Sequence, residues 1–110
     1  MYKRQELGAR VHTVPGHAAG HDLDAALSVM TSNGIKRLLI EGGGTLIASF
    51  IRLGFYDTLH WYRAPVILGG DGRNGIGDLG QTEMQSVLRL KRIKSEMMGE
   101  DMHDLFERVD

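Results

Sequence analysis

Residues Glu41 to Thr45, with the sequence EGGGT, place an acidic side chain and three consecutive glycines directly after a short apolar run. A carboxylate can accept hydrogen bonds from a ligand, and glycine lets a ligand come close to the backbone because it has no side chain. The first N–H groups of a helix are unpaired and lie at the positive end of the helix dipole, which suits phosphate. If a helix begins here, the segment is therefore a candidate site for a ligand that carries phosphate.

Two simpler interpretations of this segment stay open. The three glycines could only form a tight turn, although one glycine is usually enough for that. The carboxylate of Glu41 could cap nearby backbone N–H groups instead of contacting a ligand. The order of strand, glycines and helix favours the ligand site, because ligands in open α/β sheets bind outside the carboxyl ends of strands.

A second glycine cluster, Gly69 to Gly80, contains two matches to the pattern G-x-G-x-x-G, at Gly70–Gly75 and Gly75–Gly80. That pattern binds dinucleotides only where a helix opens directly after it. The residues that follow are rich in glycine and lack helical apolar spacing, so we predict a loop beside the cleft. Within it we interpret Arg73 as a solvated charge.

Histidines and aromatic residues suggest two further sites, and neither is favoured. His17 and His21 have a spacing that would suit metal binding on a helix, but Pro15 and the neighbouring glycines predict a loop there, so we predict no metal site. The run His60, Trp61 and Tyr62 lies in a predicted strand, where neighbouring side chains point to opposite faces. We therefore expect these three to pack across strands.

Composition limits the possible functions. The chain has 110 residues, a net charge of −1 and no Cys. The charge gives no reason to expect nucleic acid or an acidic membrane as partner, and the absence of Cys excludes disulfides and Cys-ligated zinc. The chain also lacks an apolar run of membrane-spanning length and an N-terminal signal core. We expect one soluble cytoplasmic domain, residues 1–110.

Apolar spacing and turn residues predict elements that position the glycines. The expected fold class is α/β, with a mixed sheet flanked by helices and a C-terminal antiparallel hairpin. The predicted strands and helices are, in order, a strand at Ala9–Val14, a helix from the N-cap Asp22 to a stop at Gly34, a buried strand at Ile35–Ile40, a helix at about Thr45–Leu53, a strand from near Thr58 that passes Pro65, and a hairpin of Val87–Ser95 with Met102–Val109.

The segment Gly34 to Gly72, GIKRLLIEGGGTLIASFIRLGFYDTLHWYRAPVILGGDG, resembles a known family. It is similar to the reductase half of the bifunctional riboflavin-biosynthesis deaminase-reductases, which has the dihydrofolate-reductase-like fold. Four features carry the resemblance in the family's order: the strand ending in EGGGTL, the helix closing on Leu-Gly, the Asp before LHWY, and the run APVILGGDG. Weaker similarity extends back to about Ala9 and forward through the terminal hairpin.

The resemblance implies NADPH-dependent reduction of 5-amino-6-(5-phosphoribosylamino)uracil, in which hydride delivery to the sugar C1′ opens the ribosyl ring to ribityl. It implies that Glu41 contacts the substrate. It also implies that the glycine turn and the following helix cover the cofactor's phosphates and ribose, which assigns cofactor binding to Gly42, Gly43, Gly44, Thr45, Leu46, Ile47, Ala48 and Ser49. We assign no catalytic acid or base, because the hydride chemistry belongs to the nicotinamide.

The chain departs from the family in extent, since it resembles only the C-terminal portion of the reductase domain. The earlier strands, the other cofactor-binding loop, the residues for the substrate phosphate and the zinc deaminase half have no counterpart in it. We therefore hold two hypotheses. The chain is a partial or split reductase, completed by a separate chain with the missing N-terminal half or by its own copy in a homodimer. Alternatively, it is a non-catalytic module that keeps a dimer-forming sheet and at most weak nucleotide binding.

Overall fold

The computed structural model describes residues 2–17 and 20–109 and divides into two compact units, Met1–Ile40 and Glu41–Asp110. The first unit contains helix α1 (Tyr2–Glu6), the short strands β1 (Gly16–His17) and β2 (Gly20–His21), and helix α2 (Leu23–Ser32). The second contains helix α3 (Gly44–Arg52), strand β3 (Thr58–Arg63), a single 3₁₀ turn (Met84–Ser86), and strands β4 (Leu90–Met98) and β5 (Asp101–Arg108). No helix among the described residues is long and apolar enough to span a membrane.

Helix α2 begins and ends as local sequence signals predict. The carboxylate of Asp22 accepts a hydrogen bond from the N–H of Ala25 at 3.0 Å and so satisfies one of the unpaired donors of the first turn. At the other end Gly34 has a φ of +81°, which glycine adopts without steric cost, and its N–H donates to the carbonyl of Thr31.

The loop predicted around His17 and His21 contains a minimal antiparallel pairing instead. In the pairing of β1 with β2, Gly16 is opposite His21 and His17 is opposite Gly20. The side chains of the two histidines lie outside the described part of the structure. Among the side chains that are described, no group of three or more His, Cys, Asp or Glu could hold a metal ion.

Two strand predictions in the first unit are wrong. Ala9–Val14 and Ile35–Ile40 form no strand. A strand requires a partner for its backbone N–H and C=O groups, and within the described residues neither segment pairs with another strand. The expected burial of Ile35–Ile40 fails for the same reason, since Leu38 is 45% exposed and Leu39 is 74% exposed.

The second unit contains a three-stranded antiparallel sheet in the order β3-β5-β4. The predicted hairpin is confirmed as β4 and β5, with Met98 opposite Asp101 and a turn in which Gly99 has a φ of +63°. β3 lies at one edge of the sheet. The expectation that this strand passes Pro65 is wrong, because β3 ends at Arg63 and proline has no N–H to donate to a neighbouring strand. The α/β class is confirmed, and the strands of this sheet are all antiparallel.

The buried residues of the second unit come from α3 and from the centre of β5. Ala48 and Phe50 are the buried apolar residues of α3, and the adjacent His103 and Asp104 are buried on β5. Because neighbours on a strand point to opposite faces, His103 and Asp104 serve two different clusters. Polar groups thus occupy the middle of the sheet on both of its faces.

One cluster consists of His60, Tyr62, His103 and Glu96. The Nδ1 atom of His60 lies 2.9 Å from Nε2 of His103, and the ring of Tyr62 stacks on His103 with centroids 4.6 Å apart. Glu96 lies 3.6 Å from Nδ1 of His103. Its pKa is lowered by a hydrogen bond from Lys94 and, to a smaller extent, by His103. The prediction that His60 and Tyr62 pack across strands is confirmed.

The other cluster surrounds the carboxylate of Asp104. It accepts a hydrogen bond from the hydroxyl of Ser95 and one from Nη2 of Arg63 at 3.0 Å, and Nε of Arg92 lies 3.9 Å away. The Ser95 hydrogen bond, followed by the charge of Arg63, lowers the pKa of Asp104. A carboxylate that is 4% exposed is thereby kept in its charged form.

Candidate functional site

Helix α3 begins at Gly44, directly after the glycines that the sequence singles out. Its N-cap is Gly43, which has no side chain to accept from the first turn. The first helical hydrogen bond runs from the N–H of Ile47 to the carbonyl of Gly43 at 3.0 Å. The N–H groups of Gly44, Thr45 and Leu46 precede it and have no acceptor within the helix. The expected order of glycines followed by a helix is confirmed.

The three glycines differ in what surrounds them. Gly43 has a φ of +76°, a conformation that other residues rarely adopt. A Cβ atom on Gly44 would lie 2.5 Å from the carbonyl oxygen of Asn74, which is too close for any side chain. A Cβ atom on Gly42 would meet nothing within 4 Å, and its φ is not positive. The protein's own structure thus requires glycine at positions 43 and 44, and leaves open space at position 42.

The second glycine cluster, which we call the glycine loop (Gly69–Gly80), packs against the start of α3. The N–H of Gly77 donates to the carbonyl of Gly44 at 2.8 Å, and a Cβ atom on Gly77 would lie 3.1 Å from that oxygen. A Cβ atom on Gly75 would lie 3.4 Å from the ring of Trp61. The prediction of a loop without a helix is confirmed, and the two glycine clusters prove to be in contact.

The carboxylate of Glu41 takes part in no hydrogen bond or ion pair among the described residues, and the residue is exposed. Capping of nearby N–H groups, the simpler interpretation of this residue, is therefore not what the structure shows. Arg73 in the glycine loop is also exposed and has no hydrogen-bond or ion-pair partner in the described part of the chain. This agrees with its interpretation as a solvated charge.

The other candidate residues lie along α3 with different exposures. Thr45 and Leu46 are exposed, Ile47 and Ser49 are half-buried, and Ala48 is 1% exposed. The hydroxyl of Ser49 donates to the carbonyl of Thr45 at 3.0 Å. Because Ala48 is buried in the core, its side chain contributes to packing. The residues of α3 that a ligand can reach most easily are those of its first turn, Thr45 and Leu46.

Arg52, at the end of α3, was not singled out from the sequence. Its Nη1 donates to the carbonyl of Asp78 at 2.7 Å, and its Nη2 donates to the hydroxyl of Ser49 at 3.2 Å. The available signal was its position three residues after Ser49, which places the two side chains on the same face of a helix. Its contact with Asp78 could not be read from spacing, because the two residues are far apart in the chain.

The first turn of α3 has the properties that a dinucleotide's phosphates require. It offers unpaired N–H groups at the positive end of a helix dipole, beside the open space at Gly42. Glu41 directly precedes Gly42 in the chain, and its carboxylate, which has no partner among the described residues, can accept hydrogen bonds from a polar ligand. The residues present therefore fit the phosphate groups of a dinucleotide cofactor.

Comparison with known proteins gives matches over nearly the whole chain. The family described as the RibD C-terminal domain matches residues 2–103. The riboflavin biosynthesis protein RibD of Aquifex aeolicus is 35% identical over 106 residues, which are 96% of this chain and 28% of that protein. The 2,5-diamino-6-ribosylamino-4(3H)-pyrimidinone 5′-phosphate reductase of Methanothermobacter thermautotrophicus is 36% identical over 98 residues, which are 88% of this chain and 45% of that protein.

Solved structures give the same fold. A structure of Acinetobacter baumannii RibD superimposes with a TM-score of 0.80 at 22% identity and covers 99% of this chain and 29% of that one. A pyrimidine reductase-like protein from Corynebacterium diphtheriae superimposes with a TM-score of 0.79 at 20% identity, covering 99% of this chain and 43% of that one. The chain thus spans less than half the length of each of these four relatives.

Proposed function

The chain belongs to the family of RibD C-terminal domains, and from this membership we propose that it acts in riboflavin biosynthesis as a partial or split reductase. The reaction is the NADPH-dependent reduction of 5-amino-6-(5-phosphoribosylamino)uracil to its ribityl product. Two relatives from different organisms carry the name of a pyrimidinone 5′-phosphate reductase. The chain itself is the C-terminal portion of such a reductase domain.

The observation that carries this proposal is the start of α3. The glycines that the family resemblance assigns to the cofactor stand at a helix N-terminus without a side-chain cap. Gly42 lies beside them in open space, although neither its backbone conformation nor its packing requires glycine. Close approach of a ligand supplies the missing reason for glycine at that position.

NADPH, when bound, supplies the hydride that reduces the sugar carbon of the substrate. The chain's own residues bind and orient. The N–H groups of the first turn of α3 would donate to phosphate oxygens, and Glu41 would accept hydrogen bonds from polar groups of the substrate. Holding two reactants close together and correctly aligned can account for roughly 7–11 kcal/mol of a reaction barrier. Orientation of the cofactor and the substrate is therefore the protein's main contribution.

The alternative is a non-catalytic module with at most weak nucleotide binding. Exposed apolar side chains favour it, because Val66, Ile67 and Leu68 are 65%, 98% and 73% exposed between β3 and the glycine loop. A complete reductase would cover such a surface. Under either hypothesis we propose a cytoplasmic protein. The split reductase pairs with a chain that carries the missing N-terminal half or with its own copy, and the non-catalytic module pairs with a second copy.

The experiment that tests this proposal measures NADPH oxidation with authentic pyrimidine substrate. It is made on the chain alone and again after adding the N-terminal half of a related reductase domain in trans. We expect no appreciable turnover by the chain alone, since the residues for the substrate phosphate have no counterpart in it. Turnover only on addition supports a split enzyme, and robust turnover by the chain alone means that the homodimer builds a complete site. No turnover in either case favours the non-catalytic module.

A further inference from the structure

The glycine loop is attached to α3 at two places. At the start of the helix, the N–H of Gly77 donates to the carbonyl of Gly44 at 2.8 Å. At the end of the helix, Nη1 of Arg52 donates to the carbonyl of Asp78 at 2.7 Å. Consecutive residues of the loop, Gly77 and Asp78, are thus connected to opposite ends of one helix. A loop held in this way cannot shift along α3 without breaking one of the two bonds.

Arg52 also connects the loop to residues of the candidate cofactor site. Its Nη2 donates to the hydroxyl of Ser49, which in turn donates to the carbonyl of Thr45. Hydrogen bonds therefore run without interruption from Asp78 in the loop to Thr45 in the first turn of α3. Both Ser49 and Thr45 are among the residues assigned to the cofactor. A guanidinium group suits this role because its donors are fixed in one plane and can bond two acceptors at once.

Backbone atoms of the loop lie against the first turn itself. The carbonyl oxygen of Asn74 would be 2.5 Å from a Cβ atom on Gly44. Gly77 lies on the carbonyl side of Gly44, where a Cβ atom on Gly77 would be 3.1 Å from the carbonyl oxygen of Gly44. Loop residues 74–77 therefore lie against Gly44, the first residue of the turn where phosphate is expected. Gly42, by contrast, is open. The turn thus has one side bounded by the loop and one side accessible.

We propose that the glycine loop is a wall of the cofactor site and that Arg52 is the positioning residue that fixes this wall against α3. The inference rests on the proposed function, since it takes the start of α3 as the place where NADPH binds. Arg52 acts through the loop and through Ser49, and it does not itself need to touch the cofactor. The glycine loop, which matches a dinucleotide-binding pattern, thus contributes to the cofactor site by packing against α3, although no helix follows directly after it.

The first test compares Arg52→Met with Arg52→Lys and Arg89→Met in NADPH titrations of the full chain, followed by amide chemical shifts. Methionine keeps the apolar stem and removes the donors, whereas lysine can still donate to the carbonyl of Asp78. Arg89 is an exposed arginine of the same unit without a hydrogen bond in the described part of the chain. We expect Arg52→Met to raise the Kd for NADPH about three- to tenfold, the effect of one or two lost hydrogen bonds. The Kd values of Arg52→Lys and Arg89→Met should stay within about twofold of that of the wild type.

The outcomes separate the two proposals. If the wild-type chain binds NADPH and Arg52→Met binds it equally well, the wall is overturned and the proposed function stands. If the wild-type chain shows no shifts at residues 42–49 on titration, the cofactor site and the wall that depends on it both fail. If Arg52→Lys loses as much affinity for NADPH as Arg52→Met does, a donor to the carbonyl of Asp78 is not sufficient to hold the loop. That result would overturn the positioning role of Arg52.

A second variant tests the wall without any ligand. Gly77→Ala places a Cβ atom 3.1 Å from the carbonyl oxygen of Gly44, whereas Gly70→Ala, its matched control, meets nothing within 4 Å. We expect Gly77→Ala to change the amide shifts of residues 43–46 in the free protein and to raise the Kd for NADPH, and Gly70→Ala to do neither. Unchanged shifts at residues 43–46 in Gly77→Ala would show that loop and turn are uncoupled and would overturn the inference.

Discussion

Gly42, Gly43 and Gly44 are adjacent in the chain, yet each has a different relation to its surroundings. Gly43 requires glycine for its positive φ, and Gly44 requires it because the backbone of Asn74 is close. At Gly42 neither reason applies. The sequence alone predicted a close approach at this turn. It could not reveal that part of the approaching backbone belongs to the protein's own glycine loop.

This difference makes Gly42→Ala a test of ligand contact. We expect the free energy of unfolding to change by less than about 1 kcal/mol, since the added methyl group meets no protein atom. If NADPH lies against this position, its Kd should rise about tenfold, because the methyl group keeps the ligand from the backbone. Urea unfolding and NADPH titration of the same samples provide both measurements.

Gly44→Ala is the control for that experiment. Here the methyl group meets a carbonyl oxygen at 2.5 Å and cannot be accommodated by a side-chain rotation. We expect a loss of stability of about 1–3 kcal/mol, typical of overpacking. A destabilisation of Gly42→Ala as large as that of Gly44→Ala would mean that position 42 is occupied by the protein itself.

Asp104 gives the protein a pH dependence whose direction can be stated. Its pKa is lowered by the Ser95 hydrogen bond and by Arg63, so the folded state binds the proton less readily than the unfolded state does. The resulting stabilisation is fully present above the unfolded pKa of about 3.9, and it is lost as the pH falls through the lower folded value. We expect Asp104→Asn to flatten the loss of stability as the pH falls below about 4, measured by urea unfolding at each pH. Parallel pH profiles for the two proteins would contradict this.

At the scale of elements, local signals were sufficient for helices α2 and α3 and for the hairpin, whereas the short helix α1 was not predicted. The cap at Asp22 and the stop at Gly34 are properties of a few neighbouring residues, and each was found where the sequence indicated. The hairpin turn at Gly99 lies between the two segments that were predicted to pair. The strand predictions at Ala9–Val14 and Ile35–Ile40 failed, because a strand depends on a partner that can lie far away in the sequence. Their residue types still favour strands, and what the described chain lacks is a ladder for them to join.

The contribution of a local signal can be measured at α2. Asp22→Ala removes the acceptor for the N–H of Ala25, and we expect it to lower the free energy of unfolding by about 1 kcal/mol. Asp24, which lies in the first turn and is exposed, serves as the control. Asp24→Ala should cost no more than about half as much, since it loses only an interaction with the helix dipole. Thermal unfolding followed by circular dichroism distinguishes the two. Equal effects would show that the cap hydrogen bond adds nothing.

At the scale of the whole molecule, the exposed sheet edges and apolar side chains predict self-association. β3 and β4 are both edge strands of the second unit, and their unpaired backbone groups can accept a further strand. A second copy of the chain is the partner always present, and closed two-fold symmetry is the commonest arrangement. We expect light scattering to give the mass of a dimer at high protein concentration. A strict monomer there would contradict the prediction.

The unpaired segment Ile35–Ile40 has a further consequence for the chain during synthesis and storage. Four of its six residues are apolar, with Leu39 largely exposed, and such segments promote the stacking of many copies into fibrils. Lys36 and Arg37 interrupt the run with two adjacent positive charges. In a stack these charges would repel one another at the spacing of neighbouring strands, so the two residues act as gatekeepers against aggregation. Their repulsion weakens as ionic strength rises, and we therefore expect aggregation of the chain to increase with salt.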